Sequence, residues 1–219
     1  MIDVKNVTKS FGKLEILDKI SFKVERGELV TVLGPSGCGK TTIARIIAGL
    51  LQHDDGSVYT KGRIGIMFQE PRLLPWRTVS ENIILGIDLQ EREIDKENVD
   101  EVLRLVDLHD FKDSYPSELS GGMKQRVALA RTLITEPEVL VMDEPLSALD
   151  SMTRKTLQKK ILEIHKRRRL TTLFITHSME EAALLGDRII LFSKRPAKIK
   201  GVIKNGRNAR KNIEKLMNS

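Results

Sequence analysis

One cysteine, one tryptophan and two tyrosines are all that 219 residues contain of those types. A lone cysteine excludes an internal disulfide and leaves every cysteine-based zinc spacing unfilled. Aromatics at 4% are too sparse for the base-stacking platforms of single-strand binders, so no nucleic-acid partner is expected. No apolar run approaches the ~18 residues of a membrane span. Met1-Ile2-Asp3-Val4-Lys5-Asn6 also lacks the charged-then-apolar order of a secretory leader. The expectation is a soluble, cytoplasmic chain folded as one domain that carries a subdomain. What the sequence has in surplus is positive charge, 37 Lys and Arg against 30 Asp and Glu. The surplus gathers at Lys166-Arg167-Arg168-Arg169 and after Phe192, which reads as a basic tail with no separate regulatory domain. Such clusters form either a solvated surface or a contact with an anionic membrane face.

Gly34-Pro35-Ser36-Gly37-Cys38-Gly39-Lys40-Thr41 fills the pattern G-x-x-x-x-G-K-[ST] directly after the strand-like run Leu29-Val30-Thr31-Val32-Leu33. In that context the pattern is a phosphate-binding loop. Its glycines let successive N–H groups converge on phosphate oxygens, Lys40 neutralises charge near the β/γ bridge, and the Thr41 hydroxyl can hold Mg²⁺. A helix from Lys40 to Leu50 adds its positive N-terminal end. Nucleoside triphosphate binding follows. Cys38, beside the phosphates and near that helix terminus, is expected to favour its thiolate.

Around this loop the pattern predicts strands at Met1–Val7, Ile20–Val24, Glu28–Leu33, Gly56–Thr60 and Arg63–Met67. Helical spacing then takes over at Ser80–Ile87, at Asp95–Leu108 and at Gly121–Thr135. Strands return at Val139–Met142, Thr171–Ile175 and Arg188–Phe192, separated by helices at 151–169 and 178–185. That order implies an α/β core over 1–75 and 137–219, interrupted by a helical subdomain at 76–136.

Val139-Leu140-Val141-Met142 leads straight into Asp143 and Glu144, at the strand edge where open α/β sheets bind ligands. Neighbouring strand residues diverge, so Asp143 can serve Mg²⁺ while Glu144 polarises an attacking water. Ser120-Gly121-Gly122 opens a helix with Ser120 as N-cap and forms a second candidate anion site.

In this order the motifs resemble those of the ATP-binding subunit of an ATP-binding cassette (ABC) transporter, over essentially the whole chain. The resemblance implies a P-loop NTPase (RecA-like) core with an N-terminal antiparallel β subdomain and an inserted α-helical subdomain. It makes Phe11 the aromatic stacked on adenine, although a core aromatic is the other reading of that residue. Gly34–Thr41 becomes the Walker A loop and Thr42 a contact to an inner phosphate. Gln69 becomes the Q-loop ligand for Mg²⁺ or water, and Asp143-Glu144 the Walker B end. Asp150 closes the D-loop Ser147-Ala148-Leu149-Asp150, and His177 is the switch histidine. Ser120, Gly121, Gly122 and Gln125 are the signature, which the family places against the γ-phosphate of the opposite subunit. The implied assembly is an ATP-dependent homodimer on the cytoplasmic face of the membrane, bound to permease subunits and served by an extracytoplasmic solute-binding protein.

Glu70-Pro71-Arg72-Leu73-Leu74-Pro75-Trp76, with Met123-Lys124-Gln125-Arg126, is similar to importers of the nitrate, sulfonate, taurine and pyrimidine-precursor group. Leu73, Leu74 and Trp76 are either core staples or a docking groove for a permease helix.

Overall fold

The computed structural model describes residues 1–88 and 96–217. Strands β1 (Ile2–Phe11) and β2 (Leu14–Val24) form a hairpin longer than its apolar residues predict, because charged positions continue the antiparallel ladder on the solvent side. Strand β3 (Leu29–Leu33) is buried at all five positions, as two-sided burial in a parallel sheet demands. Helix α1 (Lys40–Ile47) stops short of the expected Leu50. Gly49 turns left-handed at φ 73°, and the Leu50 amide donates to the Arg45 carbonyl, closing the helix end. Strand β4 (Asp55–Thr60) returns to pair with β1, giving an antiparallel sheet in the order β2-β1-β4.

Strand β5 (Ile64–Met67) is followed by helices α2 (Val79–Asp88), α3 (Lys96–Leu105) and α4 (Gly121–Leu133). The expected α3 start at Asp95 lies outside the described residues. Its end comes three residues early, where Asp107 adopts φ 55° and the Leu108 amide donates back to Leu103. The chain then alternates through β6 (Val139–Asp143), α5 (Ser151–Arg168), β7 (Thr171–Thr176), α6 (Met179–Leu185) and β8 (Arg188–Phe192).

The stretch expected as a basic tail is instead strand β9 (Ile199–Lys204) and helix α7 (Ala209–Met217). β9 pairs antiparallel with β8, and Ala209, Ile213 and Leu216 place one apolar face on Leu33, Ile189 and Leu191. The strand is short and carries Lys200 and Lys204 among its six residues, and only one helix face is apolar, so charge masks both elements in the sequence. The upstream basic cluster is partly engaged as well. Arg168 donates to the Leu133 carbonyl and lies 3.5 Å from Glu101.

The second sheet runs β5-β6-β7-β3-β8-β9, parallel except for β9. Each buried strand serves two cores. Val139, Val141, Leu173 and Ile175 face α1 and the antiparallel sheet, whereas Leu140, Met142 and Phe174 face the helices α2–α5. The result is an α/β fold with an antiparallel β subdomain on one face and helices on the other.

His165, in the last turn of α5, is buried, and its Nδ1 is 3.0 Å from Thr172 Oγ1 on β7. Burial holds its pKa below the ordinary histidine value. The unfolded chain therefore binds a proton that the folded chain refuses as pH falls through the unfolded value of about 6.5. Wild type should lose stability between pH 8 and pH 5.5 more steeply than His165→Asn, as urea unfolding midpoints at the two pH values will show.

Candidate functional site

Parallel register brings the functional residues together. Leu33 pairs with Thr176, and Asp143 with Ile175, so Gly34, Glu144 and His177 emerge side by side at the C-terminal edge of the sheet. The Glu144 amide donates to the Ile175 carbonyl at 3.0 Å, and the residue takes φ 47°, which turns its carboxylate away from the course of β6.

The loop after β3 curls as its glycines allow. Gly39 adopts φ 119°, and a Cβ there would run into Leu17 and Ile16 of β2, so this position takes only glycine without strain. Lys40 is buried, and its Nζ donates to the carbonyls of Gly34 and Pro35 at 2.8 and 2.9 Å. The same ammonium lies 3.3 Å from Glu144 Oε1, while Glu144 Oε2 is 2.7 Å from His177 Nδ1. Glu144 is thus held at both oxygens, by a cation from the loop and by an imidazole from the end of β7. That pairing is invisible in sequence, where 33 residues separate the two groups.

Thr41 Oγ1 donates to Asp143 Oδ1 at 3.0 Å. Asp143 is 5% exposed, and burial pushes its carboxyl above the usual range against the opposing effect of the Thr41 hydrogen bond. Ser36 and Gly37 are exposed, Pro35 and Thr42 half-buried. Phe11 is 51% exposed with the Lys9 ammonium 5.5 Å from its ring centroid, which eliminates its reading as a core aromatic.

Cys38 departs from expectation. It is 2% exposed, and burial raises its pKa, overriding the lowering influence of Lys40. The thiol is therefore neutral and shielded rather than an activated thiolate.

The second glycine element lies at the start of α4, where Ser120 Oγ accepts from the Met123 amide and Ser120 and Gly121 are exposed. Gly122 is buried, and a Cβ on it would overlap the Thr153 methyl in the first turn of α5. Gln125, expected in the group facing a partner, is 2% exposed and turned toward Gln69 of its own chain. Asp150 caps α5, accepting from the Met152 and Thr153 amides at 3.0 Å each, and bonds from Thr153 and Met152 lower its pKa. Gln69 is exposed just past β5. Leu73 packs on the helical core and is a staple, whereas Trp76 is 71% exposed.

Residues 17–147 match the family model described as ABC transporter. The chain belongs to that family. An aliphatic sulfonates import ATP-binding protein of Bacillus cereus is 44% identical over 209 residues, covering 92% of this chain and 83% of the relative. A probable sulfate/thiosulfate import ATP-binding protein of Chlorella vulgaris is 42% identical over 201 residues, covering 86% and 85%. Among solved structures, a dimeric bacterial ABC transporter cassette superposes with a TM-score of 0.82 at 30% identity, over 93% of this chain and 98% of its own. The same cassette in a post-hydrolysis state bound to ADP and Pi superposes at 0.81. This ABC cassette is accordingly an ATP-binding, ATP-hydrolysing subunit.

Sequence reasoning missed Asn82, which is fully buried in α2. Its Nδ2 donates to the carbonyls of Leu74, Arg77 and Thr78, and its Oδ1 accepts from the Leu74 amide. An asparagine in an apolar helical stretch was the available signal, since a buried amide must be satisfied.

The Gly122–Thr153 contact yields a direct test. Gly122→Ala should force α4 away from α5 and cost about 1–3 kcal/mol, the range for overpacking. Chemical denaturation of the variant, beside Gly121→Ala at the exposed neighbouring position, will separate that clash from helix propensity.

Proposed function

We propose that the chain powers import of a small solute through a membrane complex by binding and hydrolysing ATP at a site completed by a second copy of itself. The observation that carries this reading is the clamp on Glu144, whose two oxygens are held by Lys40 and His177 beside the phosphate-binding loop. A carboxylate so fixed is oriented as a general base toward water at the γ-phosphate. The backbone amides of 34–41 and the end of α1 receive the phosphates, and Lys40 exchanges its loop carbonyls for phosphate oxygens. Thr42 contacts an inner phosphate, and the exposed face of Phe11 receives the adenine. His177 holds Glu144 in place and reaches the γ-phosphate.

Thr41 and Asp143 present two oxygen donors 3.0 Å apart, and Gln69 adds a carboxamide from the next loop. That donor set suits Mg²⁺, which takes oxygen ligands, few of them from protein, beside water and substrate phosphates. The ion would supply charge neutralisation across the β- and γ-phosphates when bound.

The exposed Ser120 and Gly121 support a signature that acts across a twofold interface, so that two incomplete sites become two complete ones. The dimeric state of the solved cassette favours the same arrangement. Asp150, engaged as the α5 cap, holds the D-loop at that face.

No helix among the described residues is long and apolar enough to cross a membrane. Permease subunits would carry the solute path. Import rests on the Glu70–Trp76 motif and on the import functions in the names of the two relatives. Exposed Trp76, in the same loop as Phe68 and Pro71 that line a cavity of about 370 Å³ with Leu85, supports this loop as the docking surface for a permease helix. An extracytoplasmic solute-binding protein would deliver the cargo, and the subunit would sit at the cytoplasmic face.

Glu144→Gln should lose roughly 10²–10⁴-fold in ATP turnover while retaining ATP binding. Light scattering on a sizing column should show that variant shifting from monomer to dimer when Mg-ATP is added. A persistent monomer with ATP bound would contradict the shared site.

A further inference from the structure

The signature helix reaches the Q-loop through a buried amide. Gln125 Nε2 donates to the backbone carbonyl of Gln69 at 2.7 Å, while Gln125 Oε1 is buried with no hydrogen-bond partner among the described residues. The carboxamide cannot be reversed without setting two oxygens face to face, so the orphaned atom is the consequence of serving Gln69. Farther along α4, Arg131 donates to the carbonyls of Pro71 and Arg72 at 2.6 and 2.9 Å. Asn82 on α2 holds the far end of the same loop at Leu74 and Arg77. The loop therefore starts from a strand of the core, but its backbone hangs on helices of the inserted subdomain. The Gln69 side chain remains exposed and free to turn.

We infer that Gln125 is a positioning residue for ATP hydrolysis: by gripping the Gln69 peptide it ties the reach of the Gln69 side chain to the helix that presents Ser120-Gly121-Gly122. Stability does not require an amide at this place. Methionine, of similar length, would leave no orphaned oxygen, and the carbonyl of exposed Gln69 can take water instead. Only the amide supplies direction. With it, a displacement of α4 is transmitted to Gln69 within one hydrogen bond. Without it, the peptide that carries the Gln69 carboxamide is no longer held to one position relative to Thr41 and Asp143. The inference rests on the reading of Gln69 as a ligand for Mg²⁺ or water.

The test compares Gln125→Met, Gln69→Ala and the double variant in the full chain, by steady-state ATPase rates against ATP and against Mg²⁺, together with thermal midpoints. Gln125→Met should melt at or above the wild-type temperature yet lose about 10-fold in kcat, as expected when a reacting group is misplaced by a fraction of an ångström to an ångström. Its KM for ATP should stay near the wild-type value, and half-activation should need several-fold more Mg²⁺. The double variant should be no slower than Gln69→Ala, because both changes act on one group. A wild-type kcat in Gln125→Met, with Gln69→Ala impaired, overturns the positioning role alone. A loss of activity that follows a fall in thermal midpoint overturns it too, in favour of a structural role. Wild-type activity in Gln69→Ala refutes the reading of Gln69 itself, and this inference with it.

Discussion

Three parallel strands, β3, β6 and β7, end within one residue of each other in register, and the chemistry depends on that alignment. Each strand is followed at once by a part of the candidate site: the phosphate loop after Leu33, Glu144 after Asp143, His177 after Thr176. A slip of one residue in any ladder would turn its side chains to the opposite face and carry Glu144 out of reach of Lys40 or His177. Burial on both faces prevents that slip, because every strand residue from Val139 to Asp143 and from Thr171 to Thr176 is buried and the apolar ones divide between two cores.

The same rigidity explains why charge can be concentrated here. Asp143 is buried with a raised pKa, and Lys40 is buried beside Glu144, an arrangement that is costly unless each group has partners. The partners come from backbone carbonyls of the loop, from Thr41 and from His177.

The loop after β5 is tied to the inserted helices mainly by polar contacts, although those helices share a buried apolar cluster with the sheet. Gln125, Arg131 and Asn82 grip main-chain carbonyls of the loop after β5, where apolar packing is limited to residues such as Leu73. Hydrogen bonds to main chain fix direction without filling a core, so the loop can travel with the helices while β5 stays in the sheet. Trp76 is exposed at the end of that loop.

Local order along the chain was enough to determine the phosphate loop, the paired acids, the capped glycine helix and the alternation of strands and helices, because each depends on residue type and near-neighbour spacing. It was also enough to order these motifs as an ABC cassette. Tertiary structure alone decided that Glu144 is gripped by Lys40 and His177, that Gln125 faces inward to Gln69, and that Cys38 is a neutral buried thiol rather than a thiolate. Those outcomes turn on which distant segments pack together, and burial reverses what a nearby cation or a helix terminus would do alone. The strand and helix after Phe192 fall between the two cases. Ala209, Ile213 and Leu216 carry the helical period, but their apolar face has meaning only once Leu33, Ile189 and Leu191 are there to receive it.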